Sequence, residues 1–142
     1  MTTAPRFARL VFAAAGLYGL LTVTPLYWME SSISRDTPPG ITHPEYYYGF
    51  IGVTVAWQLV FLLIARDPVR HRAIMPLSVI EKLGFGVAAL VLSAQHRLDG
   101  LVLGFGVVDL VWGTLFVTSY VLTSSRQSGR VSVAGMTEGS RA

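Results

Sequence analysis

The chain has 142 residues, of which 52% are hydrophobic and 13% charged, and its mean hydropathy is +0.54. Soluble domains average about 25% charged residues, so this composition indicates lipid as the solvent for much of the chain. The chain has no cysteine, which excludes disulfides, thiolate metal sites and c-type haem attachment. The net charge of +3 does not indicate a nucleic-acid partner, because the basic residues lie in short loops beside apolar runs, as membrane topology requires.

Four segments are apolar enough to cross a bilayer, which takes about 20 mainly apolar residues in a helix. Each must be helical, because lipid offers no hydrogen-bond partner to a free backbone group. Short connections place sequence neighbours side by side, which favours an antiparallel arrangement. The sequence therefore predicts an all-α integral membrane protein, an antiparallel four-helix bundle with spans at residues 10–28, 46–65, 74–94 and 101–122.

The remaining segments are short. Residues 1–9 precede the transmembrane domain, residues 10–122, and the Ser-, Gly- and Arg-rich residues 123–142 are predicted to form a disordered tail. The first loop, residues 29–45, contains three prolines and a glycine, which predict an ordered turn or extended hairpin. The first span is longer than the apolar region of a signal peptide and lacks a small-residue cleavage site, so we expect a retained helix.

The distribution of arginines predicts the orientation in the membrane. One side receives eight of them and the other side two; the eight are Arg6, Arg9, Arg66, Arg70, Arg72, Arg126, Arg130 and Arg141, and the two are Arg35 and Arg97. Because cytoplasmic loops carry the excess of basic residues, we expect both termini to be cytoplasmic. Aromatic residues at the end of the first span and the start of the second fit the outer interface.

Four polar residues fall at similar depths in three of the spans. With a rise of 1.5 Å per residue, Gln58, Glu81 and Lys82 lie about 10–12 Å from the cytoplasmic side, and Asp109 lies about 18 Å from it. We expect Lys82 to reach Asp109 and Gln58 to hydrogen-bond Glu81. Three further residues lie at these levels and complete the candidate ligand- or ion-binding set: Thr54, Trp57 and Trp112.

Two acids and one base leave this cluster one negative charge in surplus if all three ionise. A buried carboxylate without its own counter-ion tends to take up a proton, so the surplus acid, Glu81 or Asp109, could carry a proton or bind a cation. The alternative is structural: a lysine–carboxylate pair can fix helix register and packing. A catalytic use of the two acids is a third possibility, and no catalytic residue is assigned.

The loops on the outer side hold four weak candidates for metal ligands: His43, Glu45, His96 and Asp99. Their spacing matches no standard metal motif, and no metal site is predicted. Pro44 and Glu45 are more simply explained as the start of a helix. The sequence assigns no cofactor.

Glycines recur beside aromatic residues, most clearly in LGFGVAAL at residues 83–90 and LGFGVVDL at residues 103–110. Glycines let membrane helices approach closely, and an ancient duplication is the alternative explanation. Because the third and fourth spans run in opposite directions, we expect the two LGFG stretches to lie at different depths and not to face each other.

The layout of four spans in a short chain resembles that of small bacterial inner-membrane proteins, of which the DoxX-like group is one example. The resemblance is architectural and carries no site residue with it. It implies a multi-pass protein of the bacterial inner membrane.

Three functions fit these observations. The first is a non-enzymatic module that binds or transports a lipophilic ligand, an ion or a proton through its polar interior; we expect it to be a homo-oligomer, because four short helices enclose little space. The second is an accessory subunit whose glycine-bearing faces dock onto a larger membrane complex. The third is an intramembrane enzyme acting on a lipid or quinone, with Glu81 and Asp109 as acid and base and with Trp57 and Trp112 lining an apolar pocket.

Overall fold

A computed structural model describes the backbone of residues 3–139 and the side chains of residues 4–123. Within this part of the chain the structure is helical and contains no strand. Its helices are α1 (Thr3–Val23), α2 (Glu30–Asp36), α3 (Pro44–Arg66), α4 (Met75–Ala94) and α5 (Gly100–Gly139). Two 3₁₀ turns, Thr24–Trp28 and Arg72–Ile74, adjoin α1 and α4.

Four helical segments are long and apolar enough to cross a membrane, judged by length and composition: Ala4–Trp28, Pro44–Arg66, Arg72–Ala94 and Gly100–Thr123. Each contains one of the predicted spans, so the number and place of the long apolar helices are confirmed. Side chains after Thr123 lie outside the described residues. The predicted disordered tail, residues 123–142, therefore stays a prediction, although the backbone of α5 is helical to Gly139.

Local sequence sets where these helices begin and end. Pro44 occupies the first turn of α3, where its missing N–H costs nothing, and Glu45 follows it at the positive end of the helix dipole. Pro76 has the same place in α4. Pro25 cannot continue α1, and the chain tightens into the 3₁₀ turn Thr24–Trp28 at this point.

The first loop is more helical than the sequence predicts. Residues 30–36 form the short helix α2, and Gly40 then turns the chain with a φ of +82°. The phenol of Tyr48 donates a 2.6 Å hydrogen bond to the carboxylate of Glu30 at the start of α2. The phenol of Tyr47 donates one of the same length to the carbonyl of Leu26. These tertiary bonds hold the loop against the N-terminal end of α3, and no local sequence pattern predicts them.

Helices α1 and α3 pack closely along their length. Their contacts run in opposite order along the two helices, from Arg9 beside Arg66, through Gly16 beside Leu62, to Gly19 beside Gln58. The 3₁₀ turn after α1 continues this order, with Leu26 beside Tyr47. The close approach depends on glycine in α1, because a Cβ atom on Gly16 would lie 2.9 Å from the side chain of Leu62.

Helices α4 and α5 form the other close pair. A Cβ atom on Gly86 would lie 3.1 Å from the carbonyl oxygen of Gly106, and one on Gly106 would collide with the Cβ of Ala89. The expectation that the two LGFG stretches do not face each other is therefore wrong for their second glycines. At a rise of 1.5 Å per residue from the ends of their spans, Gly86 and Gly106 lie within about one helical turn of each other, and a register shift of that size brings them into contact.

The two pairs meet mainly through α1 and α5, whereas α3 and α4 approach each other at few positions. At their junction the rings of Phe12 and Phe116 stack with centroids 4.2 Å apart, and Phe61 meets Phe116 edge-on at 4.9 Å. All three rings are fully buried. This aromatic core therefore joins α1, α3 and α5, and it lies beside the cluster of charged residues.

Candidate functional site: a buried lysine between two carboxylates

Lys82 is the centre of the candidate site. Its ammonium Nζ lies 3.1 Å from Oδ1 of Asp109, to which it donates a hydrogen bond, and 3.3 Å from Oε2 of Glu81. The lysine side chain is 7% exposed, and those of Glu81 and Asp109 are 15% and 17% exposed. The predicted meeting of Lys82 with Asp109 thus occurs in the structure. One ammonium serves two carboxylates.

The local helix geometry explains how adjacent residues share this site. Neighbours on an α-helix point about 100° apart, so Glu81 and Lys82 cannot both project straight into the bundle. Lys82 takes the buried direction, and its Cβ packs 3.6 Å from the position that a Cβ on Gly113 would occupy. Its flexible stem then lets the ammonium bend towards Glu81 on one side and Asp109 on the other.

The two carboxylates are not held equally. Asp109 accepts a hydrogen bond from Lys82. Oε2 of Glu81 lies within ion-pair distance of the ammonium, at 3.3 Å, but this buried atom has no hydrogen-bond partner among the described residues. Glu81 is therefore the less tightly held acid of the two.

Aromatic rings line the site. The ammonium of Lys82 lies 5.3 Å from the ring centroid of Phe61, within range of a cation–π attraction. Tyr18 of α1 and Trp112 of α5 approach each other with centroids 6.2 Å apart. The indole Nε1 of Trp112 is buried and has no hydrogen-bond partner among the described residues. The ammonium of Lys82 thus has an aromatic ring beside it in addition to the two carboxylates.

Gln58 does not take the role that the sequence suggested. Its amide Nε2 donates a 3.0 Å hydrogen bond to the carbonyl of Thr54, one turn earlier in α3. Its carbonyl Oε1 lies against Gly19 of α1, where a Cβ would collide with it, and this oxygen has no hydrogen-bond partner in the described chain. The expected hydrogen bond to Glu81 is therefore absent between these two described residues, because Gln58 faces the α1–α3 contact.

The other residues of the candidate set are placed at the edge of the site. Thr54 contributes its backbone carbonyl to Gln58. Trp57 is half-buried and lies 6.2 Å from Phe61, centroid to centroid, so it extends the aromatic core. Phe61 was not among the predicted site residues, because a phenylalanine in an apolar run gives no signal that a cation lies next to it.

The weak metal candidates are not brought together. His43 Nδ1 lies 3.1 Å from Glu45 Oε1, and Asp99 accepts a hydrogen bond from the backbone of Leu101. Across the described residues, no three His, Asp or Glu side chains are grouped so that they could hold a metal ion.

The surface includes two open grooves that are lined by residues outside the charged cluster. One lies between α1 and α3, lined by Arg9, Ala13, Leu62, Ala65 and Arg66. The other lies along the end of α1, lined by Leu20, Leu21, Thr24, Pro25 and Trp28.

Fold and site together define an all-helical protein with four candidate transmembrane helices and a buried lysine–dicarboxylate cluster. Comparisons of the chain with protein-family models, with curated proteins and with solved structures find no match.

Proposed function

We propose that the protein is a multi-pass protein of the bacterial inner membrane, an antiparallel four-helix bundle with both termini in the cytoplasm. Support for this arrangement comes from the opposite order of contacts in the α1–α3 pair. Support for the orientation comes from the arginines, eight on one side and two on the other.

Within that membrane the protein is a proton-binding transport module, and its proton site is the cluster of Glu81, Lys82 and Asp109. The observation that carries this proposal is the sharing of one buried ammonium by two carboxylates, at 3.1 and 3.3 Å. If all three groups ionise, the cluster holds one uncompensated negative charge. A proton on one carboxylate removes it, and loss of that proton restores it.

The energetics favour a group that changes its protonation state. An uncompensated charge at membrane depth costs several kcal/mol, so the cluster is most stable as a neutral unit. Glu81 is the acid that takes the proton, because Asp109 already receives the hydrogen bond from Lys82. Asp109 and Lys82 then remain as a neutral ion pair beside it.

Of the three classes of ligand expected from the sequence, the proton fits this geometry best. A metal cation needs several oxygen ligands around it, whereas the cluster offers two carboxylates that already face an ammonium. A lipophilic ligand needs an apolar cavity, and the two grooves are lined by other residues. A proton needs only one oxygen atom with a free lone pair, which the carboxylate of Glu81 provides because the hydrogen bond of Lys82 goes to Asp109.

Proton flux into liposomes tests the proposal. The purified full-length protein is reconstituted with a pH-sensitive dye inside the vesicles, and a potassium diffusion potential drives protons inward. We expect the wild type to acidify the lumen faster than empty vesicles do, and Glu81→Gln to reduce that rate at least tenfold, because an amide cannot take up the proton.

Glu45→Gln is the matched control, since Glu45 is an exposed carboxylate that pairs with His43 at the start of α3. It should leave the flux unchanged. A wild type no faster than empty vesicles, or a Glu81→Gln variant as fast as the wild type, would show that the cluster does not transport protons.

A further inference from the structure

The groove between α1 and α3 has the chemistry of a lipid site. Ala13 and Ala65 are small, so the two helices stay close there, and Leu62 supplies an apolar wall. Arg9 and Arg66 stand at one end of the groove and are exposed. An apolar groove that ends in two cations matches an acyl chain that ends in an anionic headgroup.

One of the two arginines is held in place by the fold. Nη2 of Arg9 donates a 3.2 Å hydrogen bond to the carbonyl of Arg66, the last residue of α3. That carbonyl has no partner within its own helix, so the bond both caps α3 and fixes the guanidinium of Arg9 at the end of the groove. A guanidinium carries five N–H donors, which leaves Arg9 four for a ligand.

The positive charge at this end is not neutralised within the described residues. Among residues 4–123, no carboxylate forms an ion pair with Arg9 or Arg66. Asp67 is the acid nearest in sequence, and its Oδ1 accepts a hydrogen bond from the backbone N–H of Arg70.

We propose that this groove binds one anionic phospholipid from the cytoplasmic leaflet, with its phosphate on Arg9 and Arg66 and an acyl chain along Ala13 and Leu62. The assignment rests on the proposed orientation, which places Arg9 and Arg66 at the cytoplasmic headgroups. Arginine suits a phosphate because its planar fork can donate two parallel hydrogen bonds. Ala13 and Leu62 supply the apolar surface that such a chain contacts.

Lipid binding to the purified full-length protein in detergent, counted by native mass spectrometry, tests this site. The probes are phosphatidylglycerol and phosphatidylcholine with identical acyl chains. We expect the wild type to retain one phosphatidylglycerol with about tenfold preference over phosphatidylcholine. Arg66→Gln should reduce the preference about fivefold, as expected for one basic side chain near a headgroup. This variant keeps the Arg9 cap, because that cap uses only the backbone of Arg66.

Arg9→Gln/Arg66→Gln should abolish the preference, and the matched control Arg35→Gln/Arg97→Gln, which removes the same charge from the other end, should keep it. Inorganic phosphate should not displace the lipid, because it lacks the acyl chain. Equal binding of the two lipids by the wild type, a preserved preference in the Arg9/Arg66 variant, or full displacement by phosphate would overturn the site.

Glu81→Gln separates this proposal from the proton function. It should keep the preference for phosphatidylglycerol even where it loses proton flux. A loss of lipid preference in Glu81→Gln would count against an independent site in the groove.

Discussion

The ammonium of Lys82 lies 3.1 Å from the carboxylate of Asp109, and the two residues belong to different helices, α4 and α5. The same ammonium is 3.3 Å from Glu81 on its own helix. One lysine therefore both ties two helices together and neutralises one of two acids. Its removal affects the fold, whereas removal of Glu81 leaves the interhelical pair intact.

Lys82→Met should destabilise the protein strongly, because it leaves the carboxylate of Asp109 buried without its cation. Breaking a buried ion pair by removing one partner costs about 3–5 kcal/mol. Lys82→Met/Asp109→Leu should cost less than Lys82→Met alone, since it also removes the charge that Lys82→Met leaves unpaired. The free energy of unfolding in mixed micelles measures both.

Arg97→Met is the control for that pair, because Arg97 is exposed and its side chain hydrogen-bonds only the side chain of Gln95 among the described residues. It should change stability by less than about 0.5 kcal/mol. If Lys82→Met proved no more harmful than Arg97→Met, the pair with Asp109 would not stabilise the fold.

Gly106→Ala should lower the free energy of unfolding and Gly104→Ala should not, although both place a methyl group on α5. A Cβ on Gly106 collides with the Cβ of Ala89, which cannot rotate away, whereas a Cβ on Gly104 meets nothing within 4 Å. We expect Gly106→Ala to cost about 1–3 kcal/mol by overpacking. Gly104→Ala should be neutral or stabilise by up to about 1 kcal/mol, because alanine favours the helix.

Unfolding in mixed micelles again reports the difference. Equal effects of the two alanines would mean that α4 and α5 do not cross at Gly86 and Gly106.

The sequence predicts the long apolar helices well, because length and hydropathy alone determine them. It also predicts the contact of Lys82 with Asp109, since depth counting gives their heights and the long lysine side chain bridges the remaining difference. It fails for Gln58, because height along a helix does not say which neighbour a side chain faces. The expectation that the two LGFG stretches do not face each other is wrong for a related reason. A difference of one helical turn in register, about 5.4 Å, decides whether Gly86 meets Gly106.

Gln58→Leu should be nearly neutral, within about 0.5 kcal/mol. The amide donates only to Thr54 on its own helix, and its Oε1 is buried without a hydrogen bond within the described chain. An apolar side chain of similar size loses no interhelical hydrogen bond and removes an unpaired polar atom. Gln58→Ala should cost about 1–3 kcal/mol, because it leaves a cavity against Gly19.

Both variants are compared by their unfolding free energies in the same micelles. A loss of more than about 2 kcal/mol in Gln58→Leu would contradict this account and would restore a bonding role for the amide, such as the one first expected with Glu81.

The proposed orientation can be tested directly because the chain has no cysteine, so one introduced thiol is the only target for a maleimide. Arg35→Cys and Arg70→Cys form a matched pair: both arginines are exposed, and each change removes one positive charge. Arg35 lies in α2, and Arg70 lies between α3 and α4. If both termini are cytoplasmic, these two sites lie on opposite sides of the membrane.

A membrane-impermeant maleimide should then label Arg35→Cys in intact cells, and Arg70→Cys only after the membrane is permeabilised. The reverse labelling pattern would show that the bundle has the opposite orientation, with Arg9 and Arg66 at the outer leaflet. Labelling of both sites in intact cells would exclude the four-span topology.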